Sequence, residues 1–376
     1  MVIQSNATMK IVFRVDASIQ MGTGHVMRCL TLADALKAHG AECHFICREH
    51  PGNLIALITE RGHQVSPLSN SQQLQKVKNS ALEKNGQLAH SAWLGTSQDE
   101  DAELCISIVK ALSPHWLIVD HYALDIRWGK SLRPYCKKIM VIDDLADRQH
   151  DCDLLLDQTF MRNSADYTDL APEHCQLLCG AQYALLRPEF AEWREYSLKR
   201  REKGQLEHLL INLGGVDKDN ITTQILKSLV DCALPSSCRI SVVMGTTAPW
   251  VKEVQQQALK MPWKTEAKVG VNNMAELMAN SDLAIGAAGA TSWERCCLGL
   301  PTIMIVVAEN QKLIAEELNG ASASLFLEKE AINLQVLSSY IENLVRSPDN
   351  LIKLGKVSAN IVNGLGVNAA LKEITL

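Results

Sequence analysis

The chain lacks the features that mark several large classes of protein. It has no excess of one charge, because 37 lysines and arginines are balanced by 42 aspartates and glutamates, a net charge of -5 over 376 residues. It therefore has no basic footprint for nucleic acid or for an anionic membrane surface. Its apolar runs, such as Thr302 to Ala308, are far shorter than the ~20 residues that span a bilayer. These absences predict a protein that binds neither nucleic acid nor membrane.

Signals for export and for disulfide bonds are also missing. The first nine residues are polar and lack an apolar signal-peptide core, so we expect a frayed extension before the first strand. The 12 cysteines are scattered and form no Cys-x-x-Cys pair. Small buried hydrophobes in a reducing compartment explain them best, and a zinc site is the weaker alternative. The predicted location is the cytoplasm.

Strand-like and helix-like segments alternate along most of the chain. Residues 11–15 predict a first strand, and residues 26–39 repeat apolar side chains at helical spacing up to Gly40, a good C-cap. Strands that alternate with helices indicate βαβ units and parallel sheets. The predicted fold class is α/β, with two doubly wound Rossmann-like domains and an interdomain cleft. The further predicted strands are 43–47, 116–120, 139–142, 208–212, 240–243, 283–286 and 302–307.

A charged, glycine-containing stretch at 200–205 separates the two alternating halves. A single core rarely exceeds about 250–300 residues, so two domains are expected. We place them at 9–200 and 205–376. The polar segment 69–101 is expected to be an excursion with a partial helix, mobile in the free protein. Ligands of open α/β sheets bind beyond the carboxyl ends of the strands, so we expect the site in the cleft.

The first strand-to-helix turn, Gly22-Thr23-Gly24-His25-Val26, contains the candidate catalytic residue. Gly22 and Gly24 let a ligand approach the backbone, and the following helix offers free N–H groups to an anion. The dinucleotide fingerprint needs a third glycine where the chain has Met27, so the turn is weak support for NAD. His25 is interpreted as a general base, because an ordinary histidine pKa of about 6.5 suits proton transfer at neutral pH. A structural histidine is the alternative.

Polar residues at other strand ends of the first half complete the predicted pocket. Arg14 and Asp16 close the first strand, where Asp16 would orient His25 or a sugar hydroxyl. A local ion pair or a turn cap is the alternative. Asp120-His121-Tyr122 follows another strand and is predicted to line the pocket, unless Asp120 only caps a helix and Tyr122 only packs. The aspartates at 143–153 suggest a hard-metal site, but aspartate is common in turns, and no metal is expected.

Two small-residue turns in the second half suit a diphosphate. Gly214 and Gly215 follow the strand at 208–212, although a tight turn alone also requires glycine. The run from Gly286 leads from a strand into a helix, where Thr291 and Ser292 can supply hydroxyl and N–H groups.

Residues around this second turn suit a nucleoside. Glu294 in the first helical turns can accept two ribose hydroxyls, although an acid there also complements the helix dipole, worth ~0.3–1 kcal/mol. Val271 lies in a loop whose backbone can contact a base edge, and Asn310-Gln311 opens the next helix. Glu294 with the preceding small-residue run is the most informative motif of the chain.

These motifs resemble those of GT-B glycosyltransferases and, more closely, of the UDP-sugar hydrolases of pseudaminic acid synthesis. The second half is similar to the UDP-GlcNAc transferase of peptidoglycan synthesis in its small-residue loop, its ribose-binding glutamate and the sequence Gly299-Leu300-Pro301. The resemblance to the hydrolases runs from about Met9 to about Ser324. It is carried by residues 13–18, 22–28, 119–122, 179–190 and 213–217.

The resemblance implies an activity on UDP-2,4-diacetamido-2,4,6-trideoxy-β-L-altropyranose. Water would attack the anomeric carbon and release UDP with inversion, a step towards the nonulosonate used in flagellin glycosylation. It implies that His25 is the catalytic residue of an N-terminal domain that holds the sugar. It also implies that the C-terminal domain binds UDP, with Glu294 on the ribose, Thr291 and Ser292 on the diphosphate, and the Val271 backbone on uracil. No cofactor is expected. A GT-B glycosyltransferase with a UDP-amino sugar donor is the alternative.

Overall fold

The structure is a computed structural model that describes residues 8–69, 88–332 and 334–375. The chain divides into two compact units. The first contains the residues up to Leu185 and those from Val367 onward, and the second contains Leu186–Gly366. The predicted N-terminal extension and most of the predicted polar excursion lie outside the described residues. In the described part of the chain, no helix is long and apolar enough to cross a membrane.

The first unit is built on a seven-stranded parallel sheet with the strand order β3-β2-β1-β4-β5-β6-β7. Its strands are β1 (Lys10–Val15), β2 (Glu42–Arg48), β3 (Gln64–Leu68), β4 (Trp116–Asp120), β5 (Lys138–Ile142), β6 (Leu154–Asp157) and β7 (Gln176–Cys179). Its helices are α1 (Gly24–Ala38), α2 (Ile55–Glu60), α3 (Gln98–Leu112), α4 (Ile126–Leu132) and α13 (Gly366–Thr375).

Both faces of this sheet are covered, because successive side chains of a strand point to opposite faces. Phe13 packs into a core that α1 and α13 share, whereas its neighbour Val12 packs into a second core with α3 and α4. Because both faces are covered, β4 is buried throughout and β5 is buried from Ile139 onward. This burial explains why their sequences are apolar runs rather than alternating ones.

The second unit repeats this plan with six parallel strands in the order β10-β9-β8-β11-β12-β13. Its strands are β8 (His208–Asn212), β9 (Arg239–Met244), β10 (Lys264–Val269), β11 (Leu283–Ala287), β12 (Thr302–Val306) and β13 (Leu325–Glu328). Its helices are α5 (Pro188–Arg201), α6 (Ile221–Leu229), α7 (Val251–Ala258), α8 (Met274–Ala279), α9 (Thr291–Cys297), α10 (Lys312–Gly320), α11 (Leu334–Arg346) and α12 (Pro348–Ala359).

The unit boundary differs from the one that the sequence predicts. The charged stretch at 200–205 was expected to be a linker, but its first residues end helix α5, which belongs to the second unit. Arg201 is buried there and donates to the carbonyls of Met278 and Ser281, at 2.7 and 2.8 Å. The chain also returns to the first unit at its end, where α13 packs into the core. The two arginines of this stretch make internal contacts, whereas Glu202 and Lys203 are exposed.

Each sheet has one point where the strand order reverses. In the first unit the chain runs outward from β1 to β3 and then returns to the other side of β1 as β4. In the second unit β8 and β11 have the same relation. The loops after these two strands diverge at such a point, which leaves a crevice beyond their carboxyl ends. The two doubly wound sheets confirm the predicted fold class and locate a candidate site on each unit.

Candidate active site

His25 lies at the switch point of the first sheet. Val15 at the end of β1 is in register with Asp120 at the end of β4, so the residues that follow both strands meet. Helix α1 begins at Gly24 and places His25 in its first turn. Gly22 precedes it with a φ of +79°, a backbone conformation that favours glycine. The local sequence thus brings an imidazole to the carboxyl edge of the sheet.

The His25 ring is held by a buried carboxylate. Its Nδ1 lies 2.6 Å from Oδ1 of Asp120, whose side chain is fully buried. An ionised carboxylate only accepts hydrogen bonds, so Nδ1 carries the proton and donates it. The tautomer leaves Nε2 as the basic nitrogen, and Nε2 has no hydrogen-bond partner among the described residues. With 11% of the side chain exposed, the ring is fixed yet reachable.

Arg28 keeps this carboxylate ionised. One turn after His25 on α1, its guanidinium donates to both oxygens of Asp120, at 2.6 and 2.7 Å. Burial alone would raise the pKa of Asp120, but the charge of Arg28 and the hydrogen bonds from Arg28 and His25 hold it well below its usual range. A second carboxylate, Asp144, accepts from Arg28 at 2.6 Å. The result is a histidine–aspartate pair backed by a bidentate arginine.

Aromatic rings pack beside the imidazole. Tyr122 meets His25 edge to face at a centroid distance of 4.6 Å, and its hydroxyl donates to Asp144 at 2.7 Å. Burial raises the pKa of Tyr122, and Asp144 raises it further, so the phenol stays protonated. Trp93 stacks on Tyr122 at 5.8 Å, and His90 contacts both rings. The predicted pocket residue Tyr122 is therefore next to His25.

Arg14 and Asp16 occupy a different place from the predicted one. Both are fully buried in an ion pair of 2.7 Å, and Asp16 also accepts from the backbone N–H of Arg48. Asp120, and not Asp16, contacts His25. The interpretation of Asp16 as the residue that orients His25 is wrong, because its side chain turns towards β2 instead of α1. The alternative, a local ion pair, is what forms.

His121 is likewise buried. It is 3% exposed, its Nδ1 accepts the N–H of Ala123, and its Nε2 lies 3.4 Å from Oδ2 of Asp16. Burial lowers the pKa of His121, while Asp16 opposes that shift. Of the two residues after Asp120 that were predicted to line the pocket, Tyr122 lies next to His25, whereas His121 is buried in the core.

The aspartates at 143–153 are already paired with cations. Asp143 is fully buried and lies 2.9 Å from Arg148, and Asp151 and Asp153 both pair with Arg133. Within the described residues, no group of three or more histidines, cysteines, aspartates or glutamates is placed to hold a metal ion. These acids therefore form ion pairs that tie the segment after β5 to α1, to the residue after α4 and to Arg148.

The second candidate site lies at the switch point of the second sheet. Gly214 follows β8 with a φ of +90°, and Gly215 lies so close to Gly245 that a Cβ there would be 2.0 Å from the Gly215 carbonyl. The Asp217 carboxylate then accepts the N–H groups of Ile221 and Thr222, the first two residues of α6, at 2.9 Å. The glycines therefore serve close backbone packing as well as any ligand contact.

The small-residue loop after β11 joins α9 at Thr291. Thr291 is half-buried, whereas Ser292 is fully buried and its N–H already donates to the Gly289 carbonyl at 2.8 Å. Contact of Ser292 with a diphosphate therefore does not fit this conformation, and Thr291 is the hydroxyl on the loop surface. The sequence signal could not separate the two, because burial depends on which side of the short helix faces β11.

Glu294 lies one turn further along α9. Its side chain is 19% exposed, and Nη2 of Arg187 is 3.9 Å from its carboxylate. Burial raises the pKa of Glu294 to about 6, which Arg187 only partly offsets. A carboxylate with a shifted pKa, located where the strand order of a sheet reverses, is typical of a ligand-binding site.

The remaining predicted residues flank this loop. Gln311 lies in a 3-10 turn before α10, accepts the Val307 N–H at 3.2 Å, and brings its amide against Gly289. Asn310 is half-buried in the same turn. Val271 is half-buried in the loop that follows β10. All three belong to connections at carboxyl ends of strands in the second sheet.

Comparison with known proteins agrees with this architecture. The structure of MurG from Acinetobacter baumannii superimposes with a TM-score of 0.68 at 14% identity, covering 98% of this chain and 99% of that one. Residues 210–364 match the glycosyltransferase family 28 C-terminal domain. The chain has the GT-B fold. The predicted fold family is thereby confirmed.

Sequence relatives support the resemblance drawn from the motifs. The UDP-2,4-diacetamido-2,4,6-trideoxy-β-L-altropyranose hydrolase of Campylobacter jejuni is 27% identical over 82% of this chain and 95% of its own length. An uncharacterized protein of Methanocaldococcus jannaschii is 24% identical over 96% of this chain and 71% of its own length. The similarity to the hydrolase confirms the expected resemblance of this GT-B chain.

Two residues of the first site escaped sequence reasoning. Arg28 is a helical arginine, a residue type that usually lies on a solvated face. Trp93 falls in a polar stretch with no apolar periodicity. The available signal for Arg28 was its position three residues after His25, which places both on one side of α1.

Proposed function

We propose that this GT-B chain hydrolyses UDP-2,4-diacetamido-2,4,6-trideoxy-β-L-altropyranose to UDP and the free sugar. The observation that carries the proposal is the contact of His25 with Asp120, backed by Arg28, at the switch point of the first sheet. The similarity to the Campylobacter jejuni hydrolase supports the choice of substrate. The first unit supplies the base and the sugar pocket, and the second unit binds the UDP moiety.

The proposed step is attack of water on the anomeric carbon. Nε2 of His25 takes a proton from the water, the new C–O bond forms, and the bond from the anomeric carbon to the diphosphate oxygen breaks. UDP leaves as an anion, so the reaction needs no strong general acid. Asp120 stabilises the imidazolium that forms, as the aspartate of a catalytic triad does. The imidazolium then returns its proton to solvent.

In the second unit, Glu294 is assigned to the ribose hydroxyls and Thr291 to the diphosphate. Gly214, Gly215 and Gln311 border the same crevice. The backbone after β10 at Val271 is assigned to the base. Because we assign the polar contacts of the diphosphate to groups of the chain itself, the proposed reaction requires no metal ion, and EDTA is expected to leave the rate unchanged.

A glycosyltransferase that uses a UDP-amino sugar donor is the second candidate. The match of residues 210–364 to the glycosyltransferase family 28 C-terminal domain favours it. Both candidates share the nucleotide site and differ in the acceptor, which is water in one case and a sugar or lipid hydroxyl in the other. Turnover without an acceptor therefore distinguishes them.

The test is ³¹P and ¹H NMR of the purified chain with the UDP-diacetamido sugar and no acceptor. We expect free UDP and reducing sugar, and ¹⁸O from labelled water in the sugar rather than in UDP. His25→Ala and Asp120→Asn should each lower kcat by about 100-fold to 10,000-fold. His39→Ala, at the exposed end of the same helix, is the matched control and should not change it. An unchanged substrate that still binds would favour the transferase, and label in UDP would mean attack at phosphorus.

A further inference from the structure

Arg295 on α9 is a buried cation that makes no ion pair in the described part of the chain. It is 1% exposed. Its guanidinium donates to three neutral oxygens, the Ala287 carbonyl at 2.7 Å and the hydroxyls of Thr291 and Ser292 at 3.1 Å each. Its Nε is buried without a hydrogen-bond partner. The buried arginines of the first unit differ, because Arg14, Arg28 and Arg48 all contact carboxylates.

A buried charge of this kind is costly unless an anion compensates it. Burial lowers the pKa of Arg295 to about 10, so the side chain remains a cation at neutral pH. The guanidinium packs against the end of β11, where a Cβ at Gly286 would lie 2.5 Å from Nη1, and it reaches the Thr291 hydroxyl where the small-residue loop joins α9. Glu294, the next residue before it on α9, acts on this charge electrostatically, but no carboxylate among the described residues forms an ion pair with the Arg295 guanidinium.

Arg295 determines whether the Thr291 hydroxyl acts as a hydrogen-bond donor or acceptor within the protein. A guanidinium is donor-only, so the Thr291 hydroxyl must accept from it. The hydrogen of that hydroxyl is then directed elsewhere, and Thr291 is half-buried on the loop surface. A ligand that accepts this hydrogen and carries negative charge satisfies both the hydroxyl and the guanidinium beneath it.

We propose that Arg295 is a positioning residue for the nucleotide diphosphate: it supplies the counter-charge from beneath the loop and fixes Thr291 as a donor to a phosphate oxygen. This inference rests on the proposed function of the second site and adds a residue to it. It predicts that Arg295 contributes to recognition of the diphosphate and not of the nucleoside.

The test compares the affinities of UDP and uridine by isothermal titration calorimetry on the full-length protein. Arg295→Met should weaken UDP binding about tenfold to a hundredfold, since hydrogen bonds to charged groups have that weight. Uridine affinity should stay within about twofold, because uridine has no phosphate to lose a contact with. Arg295→Lys keeps the positive charge but loses the planar set of guanidinium N–H donors, so it should retain part of the preference for UDP.

Arg201→Met is the matched control. Arg201 is also a buried arginine of the second unit, and it donates to the carbonyls of Met278 and Ser281 before the amino end of β11, at the opposite edge of the sheet from the loop. Its loss should leave the UDP-to-uridine preference intact. Should Arg295→Met fail to fold, the preference of Arg295→Lys carries the test.

Two outcomes would overturn the inference. Equal losses of UDP and uridine affinity in the Arg295 variants would mean a purely structural role, and an unchanged preference for UDP would mean no role at the diphosphate. Failure of the proposed nucleotide site looks different, because the wild-type protein would then bind neither ligand, whereas a transferase in place of a hydrolase would leave the binding of UDP and uridine as predicted.

Discussion

The pKa values of two carboxylates, Asp120 in the first unit and Glu294 in the second, are shifted in opposite directions by their surroundings. Asp120 is buried against Arg28 and His25, so it stays ionised and can orient and stabilise the imidazole. Glu294 is half-buried, and Arg187 at 3.9 Å together with Arg295 only partly offsets that burial, so its pKa rises to about 6. The distance to a cation decides the difference, because burial alone disfavours the charged form of both.

The shift of Glu294 predicts how stability depends on pH. Its pKa in the folded protein is about 6, above the ordinary 4.5, so the folded state binds the proton more tightly and loses stability as pH rises through that range. The cost at pH 7.5 is about 2 kcal/mol. Glu294→Gln removes the charge, so we expect it to raise the thermal midpoint at pH 7.5 and to match wild type near pH 4.5.

Thermal midpoints measured from pH 4.5 to 8 without ligand check this prediction. Glu253→Gln, on the exposed face of α7, is the control and should follow wild type at every pH. The same Glu294→Gln protein should bind uridine more weakly if the carboxylate accepts ribose hydroxyls. A pH-independent difference between Glu294→Gln and wild type would show that the carboxylate does not titrate in this range.

At the scale of elements, helix α3 is tied to the first sheet by a buried carboxylate. Asp101 accepts from Arg14 on β1 at 2.7 Å, from Arg48 on β2 at 2.7 Å and from the Trp128 indole on α4 at 3.1 Å. Three elements therefore share one anion, and no other carboxylate among the described residues pairs with Arg48.

Removing that anion should be strongly destabilising. Asp101→Asn keeps the shape of the side chain but leaves two buried guanidinium groups under-compensated, for which we expect a loss of about 3–5 kcal/mol. Urea denaturation followed by tryptophan fluorescence measures it. Asp99→Asn, exposed in the first turn of the same helix, should cost less than about 1 kcal/mol. Similar losses for both variants would mean that the helix dipole matters and the buried network does not.

At this scale, every interior strand except β6 was predicted from the sequence, and none of the edge strands β3, β7, β10 and β13 was. β4 and β8 match their predicted bounds because both faces of a central parallel strand are buried, which leaves an apolar run. β10 at the edge reads Lys-Thr-Glu-Ala-Lys-Val and is largely exposed, so it leaves no such signal. β3 also contains a proline, Pro67, which a strand tolerates at an edge.

The candidate site was predictable for a related reason. Parallel strands bring their carboxyl ends to one edge, so the residues after β1 and β4 had to be neighbours, and His25 and Asp120 are. The sequence could not decide between Asp16 and Asp120 as the partner of His25, because both follow strands of the same edge. The directions of the two side chains decide it: Asp120 points to His25 and Arg28 on α1, whereas Asp16 points to β2.

At the scale of the whole molecule, the last helix of the chain returns to the first unit. Helix α13 follows the second unit, yet Leu371 and Ile374 pack into the core that Phe13 also enters. The Trp116 indole on β4 donates to the Ile374 carbonyl at 3.0 Å. Composition could not reveal this return, because an amphipathic last helix fits either unit equally well.

This return predicts that a change near the end of the chain destabilises the residues at its beginning. Ile374→Ala leaves the carbonyl for Trp116 in place but opens a cavity, which should cost about 2–5 kcal/mol. Hydrogen exchange measured by mass spectrometry should show faster exchange in the peptide of β1 and little change in that of β8. Lys372→Ala, exposed on the same helix, should change neither. Equal loss of protection in β1 and β8 would mean that the two units unfold as one cooperative body, whereas loss confined to β1 makes α13 an integral helix of the first unit.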